Sequence, residues 1–212
     1  MTISTRNELS IKEAEQIVGG LSRPSKMPGY AYGLPAVKCK TGSKLHYRKG
    51  TICSQCYALK GRYMFPNVQE AQERRLICLH DTRWVQAMVT LITKRNVEYF
   101  RWHDSGDLQG MWHLEKIIEV AHGCPTTRFW LPTREYELVA GLSRDLLPAN
   151  LVIRVSDVNI DGGPTLISGF PTSGVTRDAE KSTCPAPLQG GICGQCRNCW
   201  DSNVRRVVYR YH

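Results

Sequence analysis

The chain has 212 residues, 42% hydrophobic and 22% charged, a balance that fits one large domain or two small ones and excludes a disordered, collagen-like or small disulfide-held protein. No run of 18 apolar residues exists, and the opening MTISTRNELSIKEAEQ lacks a basic patch followed by an apolar core, so no membrane span and no leader are expected and the cytoplasm is the expected compartment. Lys and Arg (28) exceed Asp and Glu (19), giving +9 and favouring polyanionic partners, while nine cysteines in a chain read as intracellular point to metal or catalysis rather than disulfides.

Ser10 and Glu13 make a capping-box pattern, so a short helix is predicted over 10–18, stopped by Gly19-Gly20. Residues 21–65 carry Pro24, Pro28, Pro35 and five glycines and read as loop, with an extended piece at Tyr30–Gly33. Between Glu15 and Glu70 there is no acid, whereas Arg23, Lys26, Lys38, Lys40, Lys44, Arg48, Lys49, Lys60 and Arg62 are all present. Three readings of this stretch stand together: a solvated basic surface, a positive field that offsets thiolates, and a nucleic-acid contact over 23–62 in which the interleaved Tyr30, Tyr32, Tyr47, Tyr57 and Tyr63 stack on bases. Inside it lie Cys39, Cys53 and Cys56. As a zinc set they need a fourth ligand such as His46 or Cys78; as ligands of a [4Fe–4S] cubane they leave one iron open.

After Pro66 a helical stretch is predicted to about Arg95, with Trp84, Val85, Met88, Leu91 and Ile92 as its core face. From Val97 strands alternate with helices: VEYFRWHD, MWHLEKIIEVAHG, TRFWLPT, REYELVAGLSRDL and NLVIRVSD. The alternation predicts an α/β fold with a parallel sheet. Polar residues cluster at the strand ends: His103, Asp104, Ser105 and Asp107; Thr133 and Arg134; Ser156, Asp157 and Asn159. They serve either as helix caps or as one shared site, since ligands bind at the carboxyl ends of parallel strands. Asp161–Pro187 is rich in Gly, Pro, Ser and Thr and reads as a linker to a cysteine cluster. That cluster, Cys184, Cys193, Cys196 and Cys199, contains a C-x2-C-x2-C run that suits an iron–sulfur cluster better than the paired knuckles of structural zinc. Cys78 and Cys124 read as small buried hydrophobes. Three segments follow, 1–65, 66–165 and 166–212, expected to form one domain.

The order of these motifs resembles the first half of a radical S-adenosylmethionine barrel over residues 50–160. Cys53 and Cys56 match the last two cluster cysteines, Ser105-Gly106-Asp107-Leu108 stands where the family has a Gly-Gly-Glu segment, and Ser156-Asp157 stands at the ribose contact. The family's C-x3-C-x2-C is not reproduced, since Cys39 lies fourteen positions before Cys53. The resemblance implies a partial (β/α) barrel-like sheet and bound S-adenosylmethionine, with Asp107 on its amino group and Ser105, Gly106 and Ser156 as further cofactor contacts. A second likeness covers most of the chain: Cys53-Ser-Gln-Cys56-Tyr57-Ala58, Trp102-His-Asp-Ser-Gly-Asp107 and the terminal C-x2-C-x2-C-Trp resemble the phage Gene product eighty-eight family. It implies a phage origin, hence the cytoplasm of an infected host cell, and brings no activity with it.

Three functional expectations result. The leading one is an iron–sulfur enzyme of radical S-adenosylmethionine type, acting on a nucleotide or nucleic acid, with the terminal cysteines holding an auxiliary cluster. A second, resembling deazaguanine transglycosylases in general plan, uses Asp104 and Asp107 as catalytic nucleophile and acid/base, with a terminal zinc. The third is a non-enzymatic module that binds nucleic acid or a host protein through structural or redox-sensing clusters.

Overall fold

The computed structural model describes residues 8–211; residues 1–7, part of the stretch without a leader-like pattern, and His212 lie outside it. Helix α1 (Ile11–Val18) begins at the capping box: Ser10 Oγ accepts from the Glu13 amide at 3.2 Å, and Glu13 Oε2 accepts from the Ser10 amide at 2.9 Å. It ends at Gly19, whose φ of 75° is left-handed and where a Cβ would stand 3.1 Å from the Arg75 amide nitrogen, so the turn onto the neighbouring helix requires glycine.

Strand β1 (Tyr30–Tyr32) occupies the expected extended piece. The rest of the stretch read as loop hides a short helix, α2 (Lys40–His46). Its Thr41-Gly42-Ser43 segment is a poor helix former, and a contact from Glu135 offsets that propensity. The helix expected over 66–95 is two helices, α3 (Pro66–Cys78) and α4 (Trp84–Lys94). Asp81 turns the chain between them by accepting the Arg83 amide at 2.7 Å.

Strands β2 (Tyr99–Trp102), β3 (Arg128–Thr133) and β4 (Leu151–Ser156) alternate with α5 (Met111–Gly123) and the short α6 (Tyr136–Ala140), as the pattern predicts. Two further strands, β5 (Thr172–Thr176) and β6 (Arg206–Arg210), lie where a linker and a cysteine tail were expected. All six strands form one open parallel sheet in sequential order, with β1 and β6 at its edges. The class is therefore mixed α/β. No helix among the described residues is long and apolar enough to cross a membrane.

The two faces of the sheet differ. Phe100, Trp102, Phe129, Leu131, Ile153 and Val155 share one buried core with Val18 of α1, Trp84 and Leu91 of α4, and Leu114 and Ile117 of α5. The intervening residues Arg101, Trp130 and Arg154 face the other way, as the two-residue pleat requires. There the segment around the 3-10 turn Asn198–Trp200 packs: the Trp200 indole donates to Phe100 O at 2.9 Å and meets the Trp130 ring edge-on at 5.2 Å.

Candidate functional site

The carboxyl ends of β2, β3 and β4 are roofed by residues 39–63, and each strand end supplies a tie. Tyr57 Oη donates to Asp104 O at 2.7 Å, beyond β2. Glu135, beyond β3, accepts the Thr41 amide on Oε1 at 2.9 Å and the Thr41 hydroxyl on Oε2 at 2.8 Å. Beyond β4, Val158 O accepts the Ile52 amide at 2.9 Å, and Thr51 bridges to Asn159.

These ties gather the first cysteine array. A Cβ at Gly42 would stand 3.6 Å from the sulfurs of both Cys39 and Cys53, so the two sulfurs lie within twice that distance and converge over bare helix backbone. Burial pushes the Cys39 thiol's pKa up, and the charges of Asp107, Cys56, Cys53 and Glu135 push it further. Cys53 is also raised by burial, with Arg134 opposing. Thiols crowded in this way with carboxylates ionise readily only beside a cation, which is the donor chemistry of a metal or cluster site. His46 Nδ1 is 3.2 Å from Cys53 O and so engages the loop backbone, and the Cys78 sulfur sits 3.8 Å from Gln16 O. Among the described residues no set of three or more Cys, His, Asp or Glu is arranged to hold a single metal ion.

Asp107 faces this array and is firmly held. Its Oδ1 accepts from Thr133 Oγ1 at 2.6 Å and from the Leu108 amide at 2.8 Å, and its Oδ2 accepts from the Arg134 amide at 2.9 Å. Burial pushes its pKa up to about 6 against those three bonds. Asp104 is buried too, but its Oδ1 has no partner and its Oδ2 lies 3.5 Å from Tyr63 Oη. Burial raises its pKa while Arg101 and Arg75 oppose.

Ser105 and Gly106 are engaged elsewhere. Ser105 Oγ donates to Leu34 O at 2.8 Å, and Gly106, with φ 81°, lies where a Cβ would stand 2.7 Å from Leu34 Cβ; both lock the end of β2 to the exit of β1. Ser156 Oγ shares a 3.3 Å hydrogen bond with Ser173 Oγ. Asp157 is taken by Arg206 Nη2 at 2.7 Å, and its carbonyl accepts Arg134 Nε at 3.0 Å. None of the strand-end groups is a helix cap of the kind weighed above, because α5 is capped by Gly110 and α6 by Glu135, neither with a side-chain cap bond.

The terminal cysteines form a second group against the non-helical face of the sheet. Cys184 and Cys193 both feel the charge of Cys196, Cys199 feels Cys184, and burial raises the pKa of Cys184, Cys193 and Cys199. Cys199 Sγ lies 3.3 Å from Tyr209 Oη on β6. Arg154 pins the segment to β4, donating Nε to Cys199 O at 3.1 Å and Nη2 to Asn198 O at 2.6 Å and Asp201 O at 2.7 Å. Arg101 stands between the two arrays: it lies 4.5 Å over the Trp130 ring, donates Nη2 to Tyr57 Oη at 3.2 Å, and its charge reaches Cys193 and Cys199. Sequence reasoning missed Glu135, Arg101 and Arg154. The signal for the two arginines was a charge in mid-strand among apolar neighbours.

No curated protein and no solved structure matches the chain. The profile described as Gene product 88 matches residues 1–202, nearly the whole length, and the chain therefore belongs to the Gene product 88 family.

Proposed function

We propose that this protein is an iron–sulfur enzyme of radical S-adenosylmethionine type acting on a nucleotide or nucleic acid, with Cys39, Cys53 and Cys56 holding a [4Fe–4S] cluster and Cys184, Cys193, Cys196 and Cys199 a second one. The observation that carries the reading is the convergence of the Cys39 and Cys53 sulfurs over Gly42 at the carboxyl ends of β2–β4, with the charges of Cys56 and Asp107 acting on the Cys39 thiol. The sheet is open rather than closed into a barrel, and its sequential parallel order supports the reading only in placing the carboxyl ends of β2–β4 side by side. When bound, a cubane with three cysteine ligands supplies an open iron and the electron for reductive cleavage of S-adenosylmethionine to methionine and a deoxyadenosyl radical.

The chain's own residues have definite tasks in this reading. A carboxylate offers about four acceptor positions. Asp107 fills three with protein donors, which leaves one for the cofactor's amino group. Ser156, at the end of β4, is the proposed ribose contact and would exchange its Ser173 hydrogen bond for it. Arg134 offsets the charge beside Cys53. Asp104, buried with an unpartnered oxygen, holds or takes a proton next to Tyr63. Ser105 and Gly106 act through the lock on Leu34, as positioning residues rather than cofactor contacts.

One observation favours a second reading, the non-enzymatic module: Ser105 and Gly106 are consumed by Leu34, and Asp107 is mostly consumed by β3. Purification without oxygen, followed by iron, sulfide and zinc analysis, separates the readings. The proposal expects brown protein with a broad band near ~400 nm, and a reduced-cluster spin-resonance signal that S-adenosylmethionine perturbs and Asp107→Ala leaves unperturbed at full iron. Colourless protein with zinc alone excludes it and returns the transglycosylase-like plan. Iron with no response to S-adenosylmethionine supports the module.

A further inference from the structure

Helix α2 has one side turned to the sulfurs and another turned outwards. Gly42 lies on the first. From Lys40 to Arg48 the exposed side chains are Lys40, Lys44, Tyr47 and Arg48, while Thr41, Gly42, Ser43, Leu45 and His46 are partly covered. Lys40 and Lys44 stand one turn apart on the helix, and Tyr47 at its C-cap and Arg48 in the following bend continue the exposed stripe beyond its end. The stripe holds three cations and one aromatic ring and contains no acid. None of Lys40, Lys44 and Arg48 takes part in an ion pair among the described residues. Like charges at i and i+4 work against a helix. The fold therefore keeps an internally repelling stripe on a seven-residue helix whose sequence is already a poor helix former, and an anion along it would relieve the repulsion.

Tyr47 indicates which anion. It is 89% exposed, the most exposed of the large hydrophobic side chains among the described residues, and it makes an edge contact with His46 at 5.2 Å. His46 is itself tied to Cys53 O. The ring is thus steadied from one side with a face open to solvent. Lys40 and Lys44 rise about 6 Å apart along the helix axis, a step that suits successive phosphates of an extended strand. Charge explains the lysines, but only a planar ligand uses an exposed ring amid them. Bases in a duplex are already stacked on one another, whereas an unpaired base offers its face to an aromatic side chain.

We propose that the outer stripe of α2 binds single-stranded nucleic acid, with Lys40, Lys44 and Arg48 on successive phosphates and Tyr47 stacked on an unpaired base. This deepens the nucleic-acid part of the functional reading and is independent of its cluster part. Because Thr41 is clamped by Glu135 and Cys39 immediately precedes the helix, a strand held on this stripe lies on the outer side of the same helix whose inner side meets the first cysteine array.

The test is fluorescence anisotropy of the full chain with a labelled oligothymidine and with a duplex of equal length, over a salt series. Tyr47→Ala should weaken single-strand binding about ten-fold or more, the range of base–aromatic stacking, without changing the slope of log K against log salt; Tyr47→Phe should restore it. The double variant Lys44→Gln, Arg48→Gln should reduce that slope by about 1.4, two phosphate contacts on a single strand. Equal affinity for duplex and single strand, unchanged binding in Tyr47→Ala, or no binding at low salt overturns the proposal. Iron and sulfide assayed on the same preparation report on the cluster separately, so failure of one is distinguishable from failure of the other.

Discussion

Glu135 meets Thr41 through both carboxylate oxygens across 94 residues of sequence, so the place of Cys39, two residues before Thr41, is set by the end of β3. The pairing links the sheet to the cysteine loop. Glu135→Ala leaves an amide and a hydroxyl without their acceptor and should cost about 2–3 kcal/mol, read from urea unfolding. In metal-free protein the same variant should let Cys39 alkylate faster than in the wild type. An unchanged alkylation rate would mean that the loop holds its shape without the clamp.

Arg154 is wholly buried in the middle of β4 and is answered by carbonyl groups of Cys199, Asn198, Asp201 and Thr172. Arg154→Met should destabilise the fold by about 3 kcal/mol or more, since several buried carbonyls lose a charged donor at once. Trypsin cleavage at Arg197 or Arg205 should then precede cleavage in the helical part, seen by mass spectrometry. Arg154→Lys should not rescue it, because a single ammonium cannot reach the divergent carbonyls that a guanidinium fork serves.

His113 is buried against Trp84 and His103, and burial lowers its pKa to about 3, with Lys116 and His80 adding to the shift. Its pKa in the unfolded chain is about 6.5. Between those values the unfolded state binds the extra proton, so the neutral ring contributes fully above pH 6.5 and its contribution falls as the pH drops, by up to about 1.4 kcal/mol per unit. His113→Phe should flatten the decline in urea midpoint between pH 6.5 and pH 5. His103, lowered well below its ordinary value by the same burial, keeps part of the slope. A variant that loses stability with acid as steeply as the wild type would refute the assignment.

Cysteine substitutions should divide by group. On the proposed iron–sulfur reading, Cys196→Ser should lower the iron content by the terminal cluster's share, whereas Cys124→Ala should leave it unchanged, since the Cys124 sulfur sits in the core 4.0 Å from Val89 O and 3.9 Å from Thr93 Oγ1. Equal iron loss in both variants would show that the arrays are wrongly partitioned.

The readable parts of the fold were those with a strong local pattern. Strands β2–β4 stand out as short aromatic and branched apolar runs that alternate with helical patterns such as that of α5. Strand β5 is TSGVT, short and containing glycine, and β6 is RVVYR, an edge strand flanked by arginines, so neither carries a buried-strand signature of its own. Helix α2 was hidden for a related reason, as its stability comes from Glu135 rather than from Thr41-Gly42-Ser43. In the site, the strand-end carboxylates were visible as composition. What was not visible is how their hydrogen bonds are spent: Asp104 and Asp107 are three residues apart, yet one has a bare oxygen and the other three donors, a difference set by Thr133 and Arg134 far along the chain.

The sequential strand order has a consequence for how the molecule is made. Each strand pairs with the one synthesised just before it, so as the chain leaves the ribosome every new strand finds its neighbour already in place and no edge waits for a distant segment. The roof of residues 39–63 is the exception. Its cysteines are translated before β2, β3 and β4, so the ties that seat the first array on the strand ends are complete only once Val158 has emerged to accept the Ile52 amide. Assembly of that site is therefore a late event in the life of an early segment.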